Sequence, residues 1–314
     1  MLMVLACHAN GYINEEDLAG GGGCTRLLIN QFCLVCVNVF VMISGWFGIR
    51  ASWKGAGKLL FQVLYVTLFC AVVCFALGQP VSLKKDILPY LLFGSAYWFV
   101  VSYLVLYALS PVLNSFIEHA SPRQFRNVLI AWFSVEVIYG FLLDAGYFHY
   151  GFSPMSFAGL YLLARYVRLY PGKLFALGIG ADFAIYCSLT ILSAVLFWFG
   201  YKWFGMGFHL NHYDSPLAIL AALFFLLAFS KMDFQSGIVN WLASSAFAIY
   251  LFHEHTLVSP WYHQLFSEAG SRVSSAAYYP LSFLLILGIA IGCILADKPR
   301  MLIWSLVADK CNTK

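Results

Sequence analysis

Between Lys58 and Lys84 the chain carries no charged residue, and between Arg272 and Asp297 it carries none again. A helix needs about 20 apolar residues to cross the hydrocarbon core of a bilayer. Inside lipid every backbone N–H and C=O must be satisfied within the segment, so such a run is helix and not irregular chain. Similar runs follow one another along all 314 residues with only short polar breaks. Charged residues make up 10% of the chain, against about 25% in a soluble domain. The sequence therefore describes an integral membrane protein with no long soluble domain. Aromatics reach 18%, which suits interfacial belts and lipid-facing surfaces.

Ten spans are expected, over 1–13, 28–49, 58–78, 89–110, 128–143, 155–170, 174–200, 215–230, 240–259 and 277–296. With the first loop outside, thirteen of the 18 lysines and arginines fall on the inner side and five on the outer. That bias puts both termini in the cytoplasm. The fold class expected is an all-α, multi-pass membrane protein, 1–314 forming a single domain. The first run is short for a span. Either the chain begins at an internal methionine and lacks half of this helix, or the helix starts in a vestibule lined by its neighbours. No cleavable leader is expected, since a basic region and an A-x-A-like site are missing.

The first loop holds Glu15, Glu16, Asp17 and four glycines, Gly20 to Gly23. No Lys-Ser or Lys-Thr follows them, so they read as a turn and not a phosphate loop. Cys33 with Cys36 and Cys70 with Cys74 share helical faces, which suits apolar packing better than a zinc site. His209 and His212 sit on a polar outer segment and read as solvated. No metal is expected.

Polar side chains inside the spans carry most of the information. They are His8, Asn38, Ser44, Glu136, Asp182, His253 and Glu254. An imidazole in hydrocarbon needs a partner or a water-filled cavity, so it marks a functional site by default. His8 lies five residues before the outer end of the first span, and His253 six residues before the outer end of the ninth. Both histidines are thus expected at similar depth in the outer half of the membrane. Tyr250 lies one turn before His253 on the same side. Asn38 and Ser44 each have a plain reading as hydrogen-bonding partners of neighbouring helices. Glu136 and Asp182 are expected to be protonated, paired with a buried base, or lining a water cavity. Trp98 and Tyr103 read as interfacial or core aromatics.

The chain resembles acyltransferase family 3, bacterial membrane enzymes that modify surface polysaccharides. The resemblance rests on four segments in order. Met3-Val4-Leu5-Ala6-Cys7-His8 is similar to the end of the family's first helix. Asn38 to Trp46, closing on Ser44-Gly45, is similar to the end of its second. Trp98-Phe99, Tyr103-Leu104 and Ser110-Pro111 resemble its Trp-Phe run leading to Ser-Pro. Ile249-Tyr250-Leu251-Phe252-His253 resembles its Ile-Tyr-Leu-x-His segment. An arginine the family often carries upstream of the first-helix histidine would lie before Met1. The family's second-helix aspartate is Asn38 here.

The resemblance implies ten helices with both ends inside, in a bacterial inner membrane. It implies transfer of an acetyl or other short acyl group from cytoplasmic acyl-CoA to a hydroxyl of an extracytoplasmic or lipid-linked glycan. His8 is the expected base, with His253 and Glu254 orienting it or stabilising the oxyanion. Arg50, Arg165 and Arg168 are expected at the CoA phosphates, because guanidinium pairs phosphate in a bidentate way. Asn38, Ser44, Trp98, Tyr103 and Tyr250 are expected to line the substrate path. Acetyl-CoA enters as co-substrate and no cofactor is held permanently. The lipid bilayer and a glycan are the expected partners, and nucleic acid is not. Two other functions fit the composition: a glycan transporter or flippase, and a non-catalytic partner in glycan assembly.

Overall fold

A computed structural model describes residues 1–11, 23–91, 97–207 and 209–311. The acidic and glycine-rich stretch of the first loop, 12–22, lies outside the described residues. All regular structure among the described residues is helical. In chain order the helices are α1 (Leu2–Asn10), α2 (Gly23–Leu34), α3 (Cys36–Phe47), α4 (Trp53–Ala76) and α5 (Leu88–Leu91). Then come α6 (Trp98–His119), α7 (Pro122–Val135), α8 (Pro154–Leu169), α9 (Ile179–Phe204) and α10 (Pro216–Ser230). The last four are α11 (Gly237–Ala243), α12 (Ala246–His253), α13 (Ser259–Arg272) and α14 (Ser275–Cys311).

Six stretches are long and apolar enough to cross a membrane: Gly23–Phe47, Trp53–Ala76, Trp98–His119, Pro122–Leu142, Ile179–Phe204 and Ala277–Leu306. Pro216–Ser230 and Gly237–His253 are shorter apolar helices. The ninth expected span is corrected by the structure. It does not run to Ser259 but stops at His253, where a turn leads into α13, which opens on Ser259-Pro260. Proline has no N–H to donate and is favoured in a first helical turn, so it starts a new helix here. His253 is therefore the last residue of its helix and not an interior one.

Local chemistry explains most boundaries. Ser52 caps α4 by accepting from the Gly55 N–H at 3.1 Å. Ser121 and Gln124 form a reciprocal capping box at the start of α7, with Pro122 in the first turn. Ser153 caps α8 by accepting from Ser156 N–H. Gly205 closes α9 with φ 68°, a left-handed conformation that costs glycine nothing. Surfaces run opposite to those of a soluble protein. Helix α4 buries Gln62 and Thr67 while Leu68, Val72 and Phe75 are exposed, as expected where lipid is the solvent.

The chain groups into two compact units. The first comprises Met1–Gly11, Ser52–Val101 and Phe234–Lys314. Its core joins Leu5 of α1, Ile249 of α12, Tyr262 and Phe266 of α13, and Ile286, Ala290 and Ile294 of α14. Arg300 is 1% exposed, and its charge is met within α14 by Asp297 through two bonds of 2.6 and 2.8 Å.

The second unit comprises Tyr12–Ala51 and Ser102–Asp233. Helices α3 and α8 meet backbone to backbone. A Cβ at Gly45 would stand 2.3 Å from the Tyr161 carbonyl oxygen, so only glycine fits there. Tyr161 then donates to Asn114 Oδ1 at 2.6 Å and accepts from Ile49 N–H at 3.0 Å. Asn114 donates in turn to the Ile49 carbonyl at 2.8 Å. Every polar group freed at the end of α3 is thereby bound. Asp182, fully buried at the start of α9, pairs with Lys231 just after α10.

Candidate active site

Helix α1 is nine residues long, too short to be stable alone in water. Its place is set by docking. Leu5 is fully buried in the core of the first unit, and the Tyr262 hydroxyl donates to the Leu5 carbonyl at 2.6 Å. His8, one turn further on, therefore comes to a fixed place beside the end of α12.

There His8 Nδ1 lies 2.8 Å from His253 Nε2 and 2.8 Å from Glu254 Oε1. His253 Nε2 and Glu254 Oε1 are 3.6 Å apart. The three side chains named from the sequence thus converge on one point within the first unit. The proton positions follow from the far side of His253. Its Nδ1 is 2.6 Å from the Ile249 carbonyl oxygen. A carbonyl can only accept, so Nδ1 carries the proton and Nε2 of the neutral ring offers a lone pair. His8 Nδ1–H is then the donor, shared between that lone pair and the Glu254 carboxylate. This leaves His8 Nε2 as the unprotonated nitrogen of the group. The buried histidine fixes the tautomer of the accessible one, as an outer partner does for a catalytic imidazole. Exposure agrees with the division of labour: the His253 side chain is 1% exposed, His8 22% and Glu254 26%.

Aromatic rings close the site. Tyr262 and Tyr250 lie 5.4 and 6.1 Å from the His253 ring, centroid to centroid. Tyr250 also packs on Tyr97, Phe99 and Phe247. Trp98 is half-buried against Phe99 in the same unit. His255, which sequence reasoning passed over, is fully buried and stacked on Tyr90 at 4.2 Å. Its Nδ1 accepts from Leu257 N–H, and Tyr97 donates to Leu251 O. These bonds fasten the turn that presents Glu254. Tyr262 was missed as well. Among many tyrosines, nothing local marks the one whose hydroxyl holds α1.

The other expected residues belong to the second unit. Ser44 Oγ is 3.1 Å from Tyr103 OH. Asn38 is fully buried and donates to the Tyr213 carbonyl at 2.9 Å. Arg165 and Arg168 both donate to the carbonyl of Trp46, and Arg168 also lies over the Trp46 and Phe47 rings. Arg50 is exposed just beyond α3. The two arginines of α8 thus gather at the last turn of α3, where free carbonyls and the negative end of the helix dipole attract cations.

Glu136 and Asp214 form a different kind of cluster in this unit. Their side chains are 1% and 0% exposed, and none of their four oxygens makes a hydrogen bond. Asp214 Oδ2 sits over bare Gly140, 3.0 Å from where a Cβ would stand, one turn after Glu136. A π-helical stretch, Glu136–Leu142, carries both Glu136 and Gly140. In the loop that follows α9, burial pushes Asp214 up to about 6 and His212 down to about 4. Neighbouring His209 adds to the lowering of His212.

Among the described residues, His8, His253 and Glu254 are the group of three or more such side chains whose donor atoms lie close enough to share a metal ion. His209 and His212 stack at 5.0 Å, but His209 Nδ1 is engaged by the Phe141 carbonyl.

Comparison with protein families matches residues 1–295 to the acyltransferase domain of the acyltransferase 3 family. No curated protein and no solved structure matches the chain. The family match spans both units and includes each residue of the histidine–glutamate group. The chain is a multi-pass membrane protein that belongs to the acyltransferase 3 family.

Proposed function

We propose that the chain moves an acetyl or other short acyl group from cytoplasmic acyl-CoA to a hydroxyl of an extracytoplasmic or lipid-linked glycan. The reading includes ten spans with both termini in the cytoplasm of a bacterial inner membrane, and residues 1–314 acting as one domain. The observation that carries it is the convergence of His8, His253 and Glu254. A hydroxyl attacks a thioester only if a base takes its proton during the attack. His8 Nε2 has the free lone pair for this. As the hydroxyl oxygen bonds to the acyl carbon, its proton passes to Nε2. The imidazolium is stabilised by Glu254 and by the His253 lone pair, both 2.8 Å from Nδ1. The tetrahedral intermediate collapses by breaking the carbon–sulfur bond, and the proton goes from Nε2 to the departing thiolate. The ring returns to its starting tautomer, so the cycle is balanced without a cofactor.

Arg50, Arg165 and Arg168 are assigned to the CoA phosphates. Two of them already converge on one carbonyl, which spaces their guanidinium groups for an anion. Asn38, Ser44, Trp98, Tyr103 and Tyr250 are assigned to the substrate path. The experiment is base-labile acetate on envelope glycan from a deletion strain complemented with the chain or with His8→Ala. Restoration by the first and loss with the second is expected. Equal restoration by both would remove His8 from the mechanism.

A further inference from the structure

Two imidazole nitrogens and one carboxylate oxygen are a familiar donor set for zinc and its neighbours, with a position left over for a fourth ligand. All three atoms lie within 4.8 Å of one another. The group also has the outer partner that metal-bound histidines commonly show. His253 donates its remaining ring N–H to the Ile249 carbonyl at 2.6 Å, which aims the Nε2 lone pair inward. His253 and Glu254 are adjacent at a helix end, while His8 comes from a separate docked helix. The set can therefore open without unfolding anything. Ligand atoms about a tetrahedral zinc stand roughly 3.3 Å apart. The separations here are 2.8, 2.8 and 3.6 Å. Entry of the ion needs the two shorter ones to widen by about half an ångström.

We propose that His8 Nδ1, His253 Nε2 and Glu254 Oε1 form a binding site for a zinc-class dication, and that filling it turns the base off. The second half rests on the acyl-transfer reading, and the first does not. To ligate, His8 Nδ1 must give up its proton, and the neutral ring then carries that proton on Nε2. Nε2 is the nitrogen that would accept the proton of the attacking hydroxyl. One tautomer serves catalysis and the other serves the metal, so the two uses exclude each other. Magnesium and calcium, which want oxygen ligands, are expected to be ignored.

The test uses the full chain, freed of metal, in lipid nanodiscs. Cobalt(II) takes zinc's geometry and absorbs visible light. One equivalent of cobalt is expected to give the intense bands of a four-coordinate site, bleached by added zinc. His8→Ala and His253→Ala are expected to abolish the bands, and Glu254→Gln to weaken cobalt affinity about tenfold. His8→Gln and thermal melts of each variant separate a lost ligand from a lost fold. Absent bands in the parent protein, or bands unchanged in all the variants, would overturn the site. Acyl transfer is then followed against free zinc with magnesium as control. Inhibition by zinc alone supports the switch, and stimulation by zinc overturns it. If no transfer is detected under any condition, the acyl-transfer reading fails together with the switch, and the cobalt bands still decide the site.

Discussion

Two clusters of buried polar side chains sit in the two units, and they are built on opposite terms. In the first, His8, His253 and Glu254 satisfy one another, and the outer nitrogen of His253 is satisfied by Ile249. In the second, Glu136 and Asp214 are buried as deeply, yet their carboxyl oxygens have no hydrogen-bond partner. A low-dielectric interior strengthens a completed polar network and penalises an incomplete one. The first cluster should thus hold its geometry at little cost in stability. The second should be a standing cost, met by the packing around it.

That contrast yields predictions of opposite sign. The largest concerns the completed group. His253→Leu keeps the packing volume but removes the lone pair that receives His8 Nδ1–H. Turnover is expected to fall by about 10²–10⁴-fold, the range a positioned base supplies, with little change in melting temperature. Steady-state kinetics beside a thermal melt reads both quantities. A variant that keeps its turnover would show that His253 is mere packing.

Next comes the incomplete pair. Asp214→Asn removes a buried charge, so the variant is expected to be more stable than the parent by about 1–2 kcal/mol at pH 7.5. Folding raises Asp214 from 3.8 to about 6. The parent's proton-linked stability is therefore full below the unfolded value and lost as pH rises through about 6. The advantage of asparagine should then shrink toward zero near pH 4, and melts across that range measure it. An advantage independent of pH would mean the carboxyl is not charged in the fold. Loss of activity on Asp214→Asn, with the fold intact, would break the contrast by giving the pair a role in the chemistry.

The smallest effect tests the dock of α1. Tyr262→Phe removes one buried hydroxyl and orphans one carbonyl, at an expected cost of about 1 kcal/mol. Hydrogen exchange at α1 should rise more than exchange at α4. Equal change in both would show that the hydroxyl stabilises the whole unit and not the dock.

Much of this was legible in the residues. Apolar runs without charge announced the membrane helices, because in lipid the backbone leaves no other solution. His8 and His253 were readable as a pair, because an imidazole needs a reason to stand in an apolar run. What escaped notice depended on contacts far apart in the chain. Asp214 read as a loop residue, and only folding brings it over Gly140 near Glu136. Tyr262 and His255 look like ordinary polar residues near a surface until their partners Leu5 and Tyr90 are known. The end of α12 at His253 was also hidden, since the apolar character of the segment continues past the point where the helix stops.

The shortness of α1 has a consequence for the kinetics. Helix α1 stays helical only while Leu5 is buried and the Tyr262 hydroxyl holds its carbonyl. His8 is in place only in that docked fraction. Observed turnover is then the intrinsic rate multiplied by a local folding equilibrium, and each 1.4 kcal/mol lost from a marginal dock costs about tenfold in rate. The temperature profile of turnover would carry the enthalpy of docking on top of the chemical barrier. Lipids or detergents that loosen this corner would then lower kcat with no contact to substrate.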